Sequence, residues 1–167
     1  MSYKNYIREV PDFPIEGVNF KDISPLLADQ ETFRSALVDM GSRVRLPDYW
    51  VGIDSRGFIF ASALATYFGG GVVLARKEGK TPGHIRSVSY DLEYGSATLE
   101  MQKVAMGGGE VVIVDDVLAT GGTIKATNEL AEKSGYSVVG NLVLIDLKYV
   151  PRVDNFDLTV RSVVEYE

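Results

Sequence analysis

Cysteine is absent from the 167 residues, and histidine and tryptophan each occur once. The lack of cysteine excludes a disulfide scaffold and any thiolate metal site, without naming a compartment. The single histidine, His84, is expected to be solvated, and no His/Asp/Glu spacing marks a dedicated metal cage. Basic charge is short as well. The 17 Lys and Arg stand against 23 Asp and Glu, a net charge of -6, which is the wrong sign for a chain whose main partner is a nucleic acid. Any anionic ligand must therefore be met by local clusters. No apolar run approaches the length of a membrane span, and the N-terminal "MSYKNYIREVPDFPIEG" has charges and prolines where a signal peptide needs an apolar core. A cytoplasmic protein with no membrane partner is expected. Repeats, low-complexity tracts and linkers are also missing, so 1–167 is expected to form one domain.

What is present alternates between two patterns. The runs "WVGI" (50–53), "VVLA" (72–75), "VVIV" (111–114) and "NLVLIDL" (141–147) are short and apolar on both faces, as strands of a parallel sheet covered by helices are. Trp50, opening the first of them, is expected in the core. Between them, "ETFRSALVDMGSRV" repeats apolar residues at helical spacing, "FIFASALATYF" is apolar nearly all round, and "TIKATNELAEKSG" ends on Gly135 in the usual place for a helix stop. The order predicts an α/β fold with a mainly parallel central sheet flanked by helices. Two segments stand apart. "SVSYDLEYGSATLEMQK" reads as two strands of a hairpin, and "DLTVRSVVEYE" alternates like an edge strand.

The stretch "VVIVDDVLATGGT" (111–123) combines opposite chemistries. In an open α/β sheet, ligands sit beyond the carboxyl ends of the strands, so a strand over 111–114 delivers Asp115 and Asp116 to that rim. The small residues that follow let backbone N–H groups approach a bound group, and the helix starting near Thr123 adds partial positive charge, so 117–122 reads as a phosphate cradle. Neither the ATP-binding loop nor G-x-G-x-x-G is present. Carboxylates accept hydrogen bonds from sugar hydroxyls. A cradle beside two aspartates thus fits a ribose 5-phosphate.

This string resembles the phosphoribosyl pyrophosphate (PRPP) signature of the type I phosphoribosyltransferases. "PDFPIEGVNFKDISPLL", "DSRGFIF", "RKEGKTPG" and "SYDLEYGSATLEM" extend the likeness over nearly the whole chain and narrow it to the branch that uses adenine. The resemblance implies the fold of that family, with a small N-terminal hood within about 1–35 and a hairpin-like flexible lid at about 78–100. It implies transfer of the phosphoribosyl group from PRPP to adenine, giving AMP and pyrophosphate, with Mg2+ carried by PRPP, and a homodimer.

It also implies residue roles. Asp115 and Asp116 meet the ribose hydroxyls, and Ala119, Thr120, Gly121, Gly122 and Thr123 surround the 5-phosphate. Ser55, Arg56 and Gly57 grip the pyrophosphate after a cis peptide between Asp54 and Ser55. Arg76, Lys77 and Lys80, the densest cationic cluster of this acidic chain, neutralise the leaving group, to which Arg56 adds a catalytic charge. Phe20 stacks on the purine while main-chain groups of Asn19 and Lys21 read its edge. Asn19 stands where an aliphatic residue is common in the family, and Lys21 where arginine is. Glu93 is the acid/base candidate on the lid, assisted by Tyr94 and a hinge at Gly95.

Two alternatives stay open at this stage. Lys148 and Tyr149 in "IDLKYVP" stand where oxo-purine enzymes of the same family carry a base-reading lysine and aromatic residue. A non-catalytic PRPP-binding regulator would keep the cradle, but would need a DNA-binding module for which there is no room.

Overall fold

The computed structural model describes residues 2–92, 95–103 and 107–167. The chain divides into two compact units, Met1–Asp39 and Met40–Glu167.

The first unit opens with a 3-10 turn (Tyr3–Tyr6), followed by β1 (Arg8–Val10) and β2 (Phe20–Asp22), which pair antiparallel with Val10 opposite Phe20 and Glu9 opposite Lys21. A short helix α1 (Ser24–Ala28) has proline in its first turn, where the missing N–H costs nothing, and α2 (Gln30–Ser42) leads out of the unit. The expected helix through Val44 stops at Ser42.

The second unit is built on seven strands. These are β3 (Tyr49–Ile53), β4 (Gly71–Lys77), β5 (Ile85–Asp91), β6 (Ser96–Gln102), β7 (Glu110–Leu118), β8 (Ser137–Leu147) and β9 (Arg161–Tyr166). Their order is β5-β6-β4-β3-β7-β8-β9. The five strands from β4 to β9 are parallel, and the β5–β6 hairpin joins antiparallel through β4. The α/β architecture, the hairpin and the edge position of the last strand all agree with the sequence pattern. Two helices cross over the sheet, α3 (Arg56–Phe68) and α4 (Gly122–Lys133).

Burial follows the sequence pattern in three of the four apolar runs; in β4 the expectation of cover on both faces fails, because Val72 and Leu74 are exposed. Trp50, Val51 and Ile53 of β3, Val111, Val112, Ile113 and Val114 of β7, and Leu142, Val143, Leu144 and Ile145 of β8 are buried, as strands covered on both faces must be. Each such side chain contributes about 1.5–3 kcal/mol by leaving water. Trp50 also donates its indole N–H to the Gly69 carbonyl at 2.9 Å, so its polar edge is satisfied inside the core.

The chain leaves β3 to build β4 on one side and later returns to build β7 on the other. β3 and β7 are therefore neighbours at a topological switch point, where the segments leaving their carboxyl ends diverge and open a crevice. One expectation needs adjusting here. β7 runs to Leu118 rather than stopping at Val114, so Asp115 and Asp116 lie within the strand and the connecting loop shortens to 119–121.

Candidate active site

The crevice takes its first wall from the end of β3. Asp54 follows the strand, the Asp54–Ser55 peptide is cis, and α3 begins at Arg56. Asp54 is largely buried, and its Oδ2 accepts the Lys77 backbone N–H at 3.2 Å and lies 3.6 Å from Lys80 Nζ. It therefore ties the exit of β4 to the exit of β3.

The second wall is β7. Arg56 Nε lies 2.6 Å from Asp116 Oδ2, and the Asp116 N–H donates to Asp115 Oδ1 at 2.9 Å. Burial pushes the Asp115 carboxyl well above the usual carboxylate range, and the neighbouring Asp116 charge adds to the shift. Burial raises Asp116 too, while the Arg56 guanidinium pulls it back down. Gly57 explains how the walls come so close. A Cβ there would sit 2.6 Å from the Val114 carbonyl oxygen and 3.2 Å from Asp115 Oδ1. Only a residue without a side chain lets the first turn of α3 lie against β7.

The floor is the loop into α4. Gly121 holds φ at 85°, and an added Cβ would meet the Phe156 ring at 2.5 Å, so glycine is required twice over. The N-cap residue Gly121 has no side chain to cap α4, and among the described residues only Thr120 Oγ1, 3.5 Å from the Gly122 N–H, approaches its first turn, so the other N–H groups there and the positive helix end are available to an anion. Tyr90, on the hairpin strand β5, brings its hydroxyl to 3.2 Å from Thr123 Oγ1.

These groups share a cleft of about 470 Å³ lined by Asp54, Ser55, Arg56, Lys77, Tyr90, Leu92, Asp115, Asp116 and Thr123, among others. Thr120, Gly122 and Thr123 also border a second hollow of about 830 Å³, which shares Tyr90 and Leu92 with the first. Acidic and basic side chains therefore share the cleft, Asp54, Asp115 and Asp116 with Arg56 and Lys77.

Arg76 lies elsewhere. It lines a different cavity with Val72, Leu74 and Thr81, and its Nη1 donates to the Lys80 carbonyl at 2.6 Å. Successive residues of a strand point to opposite faces, so Arg76 and Lys77 of β4 cannot serve one cleft side by side. The turn after β4 is held from both sides, by Arg76 at Lys80 and by Glu100, whose Oε2 accepts the Gly79 N–H at 3.1 Å.

In the first unit, the Phe20 ring meets Phe13 edge-on with centroids 5.2 Å apart. Asn19 Nδ2 donates to Glu9 Oε2 at 2.6 Å, and Lys21 Nζ lies 2.8 Å from the same oxygen. These contacts hold the Glu9 carboxyl below its ordinary range, the lysine having the larger effect. Glu93 and Tyr94 lie outside the described residues. His84 is exposed. Lys148 is drawn to the buried Asp146, its Nζ lying 2.7 Å from Oδ2, with Glu165 at 3.4 Å. That pairing raises the Lys148 ammonium above its usual value. Among the described residues no three His, Asp or Glu side chains gather into a metal-holding group. No helix among them is long and apolar enough to cross a membrane.

Sequence reasoning missed Asp54 and Tyr90 as parts of the site. For Asp54 a signal existed, because it directly follows a strand at the ligand rim.

A sheet whose switch point holds paired aspartates, opposed by an arginine and floored by a glycine-rich helix start, defines the class of phosphoribosyltransferases. In agreement, a family model described as a phosphoribosyl transferase domain matches residues 44–161. The adenine phosphoribosyltransferase of Mycoplasma mobile is 46% identical over 164 residues, 98% of this chain and 96% of its own length. That of Carboxydothermus hydrogenoformans is 51% identical over 150 residues, 88% of each chain. The crystal structure of APRTase from Giardia lamblia complexed with 9-deazaadenine aligns at a TM-score of 0.89 and 33% identity, covering 100% of this chain and 99% of that one. The chain belongs to the adenine phosphoribosyltransferase family.

Proposed function

We propose that the chain transfers the 5-phosphoribosyl group of PRPP to N9 of adenine, releasing pyrophosphate and giving AMP, a purine salvage reaction. The observation that carries the reading is the single cleft in which Asp115 and Asp116 face Arg56, Lys77 and the Thr123 end of the cradle. The 9-deazaadenine bound by the Giardia lamblia relative supports adenine as the base.

In this reading Asp115 and Asp116 accept hydrogen bonds from the ribose hydroxyls. The backbone N–H groups and hydroxyls from Ala119 to Thr123 donate to the 5-phosphate. Ser55, Arg56, Gly57, Lys77 and Lys80 grip the pyrophosphate, and Arg76 acts on it indirectly by holding the Lys80 carbonyl. The transition state puts positive charge on the anomeric carbon and negative charge on the departing pyrophosphate, so aligned cations on one side and carboxylates on the other stabilise both ends of the breaking bond. Hard oxygen donors such as Asp115 and Asp116 fit Mg2+, and would hold, through water, an ion that rides on the diphosphate. When bound, that ion supplies positive charge to the leaving group.

Phe20 stacks on adenine. The side chains of Asn19 and Lys21 are both engaged by Glu9, which supports their main-chain groups as the readers of the purine edge. This accounts for tolerance of the unusual Asn19 and Lys21. Glu93 moves the proton at the purine ring, and Tyr94 with the Gly95 hinge closes the lid against water, which would otherwise attack the sugar. Association as a homodimer is supported by the exposed apolar side chains Ile59, Tyr67, Val72 and Leu74 of the second unit. A charged, phosphorylated substrate supports a cytoplasmic site of action.

The deciding experiment offers PRPP and Mg2+ with each purine base in turn and follows nucleotide formation. AMP alone is expected. IMP or GMP as the main product overturns the choice of base, and PRPP binding without any turnover overturns the enzymatic reading.

A further inference from the structure

Arg152 lies in the segment between β8 and β9 and is mostly buried. Its guanidinium has two sides in use. Nη2 pairs with Asp146 Oδ1, a carboxylate that is itself almost fully buried at the end of β8. Nη1 donates to the carbonyl of Ala119, in the cradle, and faces the carbonyls of Leu147 at 3.1 Å and Val150 at 3.2 Å. One residue further on, the Val153 N–H donates to the Thr120 carbonyl at 2.8 Å. Nearby, Lys125 of α4 reaches back to the Asp154 carbonyl at 2.9 Å.

These contacts have a directional effect. In a trans peptide the C=O and the following N–H point opposite ways from one rigid plane. The Ala119 carbonyl shares its plane with the Thr120 N–H, and the Thr120 carbonyl shares its plane with the Gly121 N–H. Pulling both carbonyls toward the 152–153 segment turns both N–H groups the other way. Among the described residues neither N–H has a hydrogen-bond acceptor. They form a pair of aligned donors, the arrangement an anion requires.

We propose that Arg152 is a positioning residue for the phosphate cradle, using the buried Asp146 as its anchor and the Ala119 carbonyl as its lever to aim the Thr120 and Gly121 amides at the 5-phosphate of PRPP. The inference rests on the reading of 119–123 as the 5-phosphate site. It also gives the Asp146 carboxylate a role, since burying an acid of this kind is costly unless both oxygens are engaged, and here Arg152 takes one while Lys148 takes the other.

The test uses Arg152→Met, which keeps the apolar stem, and Arg152→Lys, which keeps the charge but not the two-sided fork. Ribose 5-phosphate binding is measured by titration calorimetry, alongside steady-state KM for PRPP and adenine and inhibition by pyrophosphate. Losing aligned charge-assisted donors predicts that Arg152→Met weakens ribose 5-phosphate and raises the PRPP KM by about 10- to 100-fold. The adenine KM and pyrophosphate inhibition are expected to stay at wild-type values. Arg152→Lys should recover part of the lost affinity. Unchanged ribose 5-phosphate affinity in a folded Arg152→Met or Arg152→Lys protein overturns the proposal, as does an equal loss for every ligand, which marks a general collapse. If Arg152→Met fails to fold, Arg152→Lys carries the comparison. Wild-type protein that does not bind ribose 5-phosphate overturns the cradle reading itself, and that outcome is separate from any effect of the variants.

Discussion

Arg56 Nε lies 2.6 Å from Asp116 Oδ2, joining the first residue of α3 to a buried carboxylate inside β7. The arginine is about two-fifths exposed and the aspartate almost wholly buried, so the contact spans the border between core and cleft. It does two things at once. It compensates a carboxylate that burial would otherwise drive toward its neutral form, and it fixes the cation proposed to meet the leaving group against the rigid sheet.

Arg56→Met is expected to lower kcat by about 10²- to 10³-fold, the usual cost of removing one preorganised charge partner of a transition state. The PRPP KM should change less. Steady-state kinetics with PRPP varied at saturating adenine checks this, and an unchanged kcat would take Arg56 out of the chemistry.

Asp115→Asn separates stability from function. The folded-state pKa of Asp115 is raised above its unfolded value by burial and by Asp116. Between those two values the folded protein holds a proton that the unfolded chain has released, so wild-type stability falls as pH rises through that window. Asparagine cannot ionise and escapes this loss. The variant should therefore melt above wild type at neutral pH, with the gain shrinking as pH falls toward the ordinary carboxylate value. Its PRPP KM should rise by about tenfold or more, because the amide replaces one of the two carboxyl oxygens with a group that can only donate. Thermal melts across a pH series, run beside the kinetics, check both halves.

Gly57→Ala should push α3 off β7, because the new methyl would meet the Val114 carbonyl at 2.6 Å. Overpacking of this kind costs about 1–3 kcal/mol. Urea unfolding measures the loss, and PRPP affinity should fall with it, since Asp115 is the next atom group in the path.

Glu93→Ala should lower kcat by about 10²-fold or more while leaving PRPP binding near wild type, as expected of a group that moves a proton rather than holds the sugar phosphate. Pre-steady-state product formation together with PRPP titration separates the two effects. An unchanged kcat removes Glu93 from the mechanism.

The alternation of apolar strands and helical segments was readable because strands buried on both faces carry no polar interruption, and the seven-stranded sheet follows from it. "DDVLATGGT" was readable for a different reason, since acids, small residues and a helix start occur there in one short run. The end of β7 was misread because two aspartates look like a stop signal, whereas a parallel strand at a switch point carries polar residues at its carboxyl end. Arg76 lines a different cavity from Lys77, because the period of two in a strand sends neighbours to opposite faces, a separation that adjacency in the sequence does not display. The Arg152 contact with Ala119 had no signal in the sequence. The partners are 33 residues apart, and the contact ends on a backbone atom that any residue type would supply.

The β5–β6 hairpin is joined to the rest of the sheet, among the described residues, at two registered positions, Arg76 with Glu100 and Lys77 with Leu99. Its buried side chains Val88, Leu99 and Met101 belong to the core cluster, and Tyr90 packs against it. The hairpin is therefore a candidate for exchange as a unit. A chimera that exchanges residues 85–102 for the hairpin of a related enzyme, while keeping those three apolar positions, would interrupt few main-chain hydrogen bonds and leave the strands β3 and β7 untouched. Protein engineers could then vary the Tyr90 side of the cleft without rebuilding its foundations.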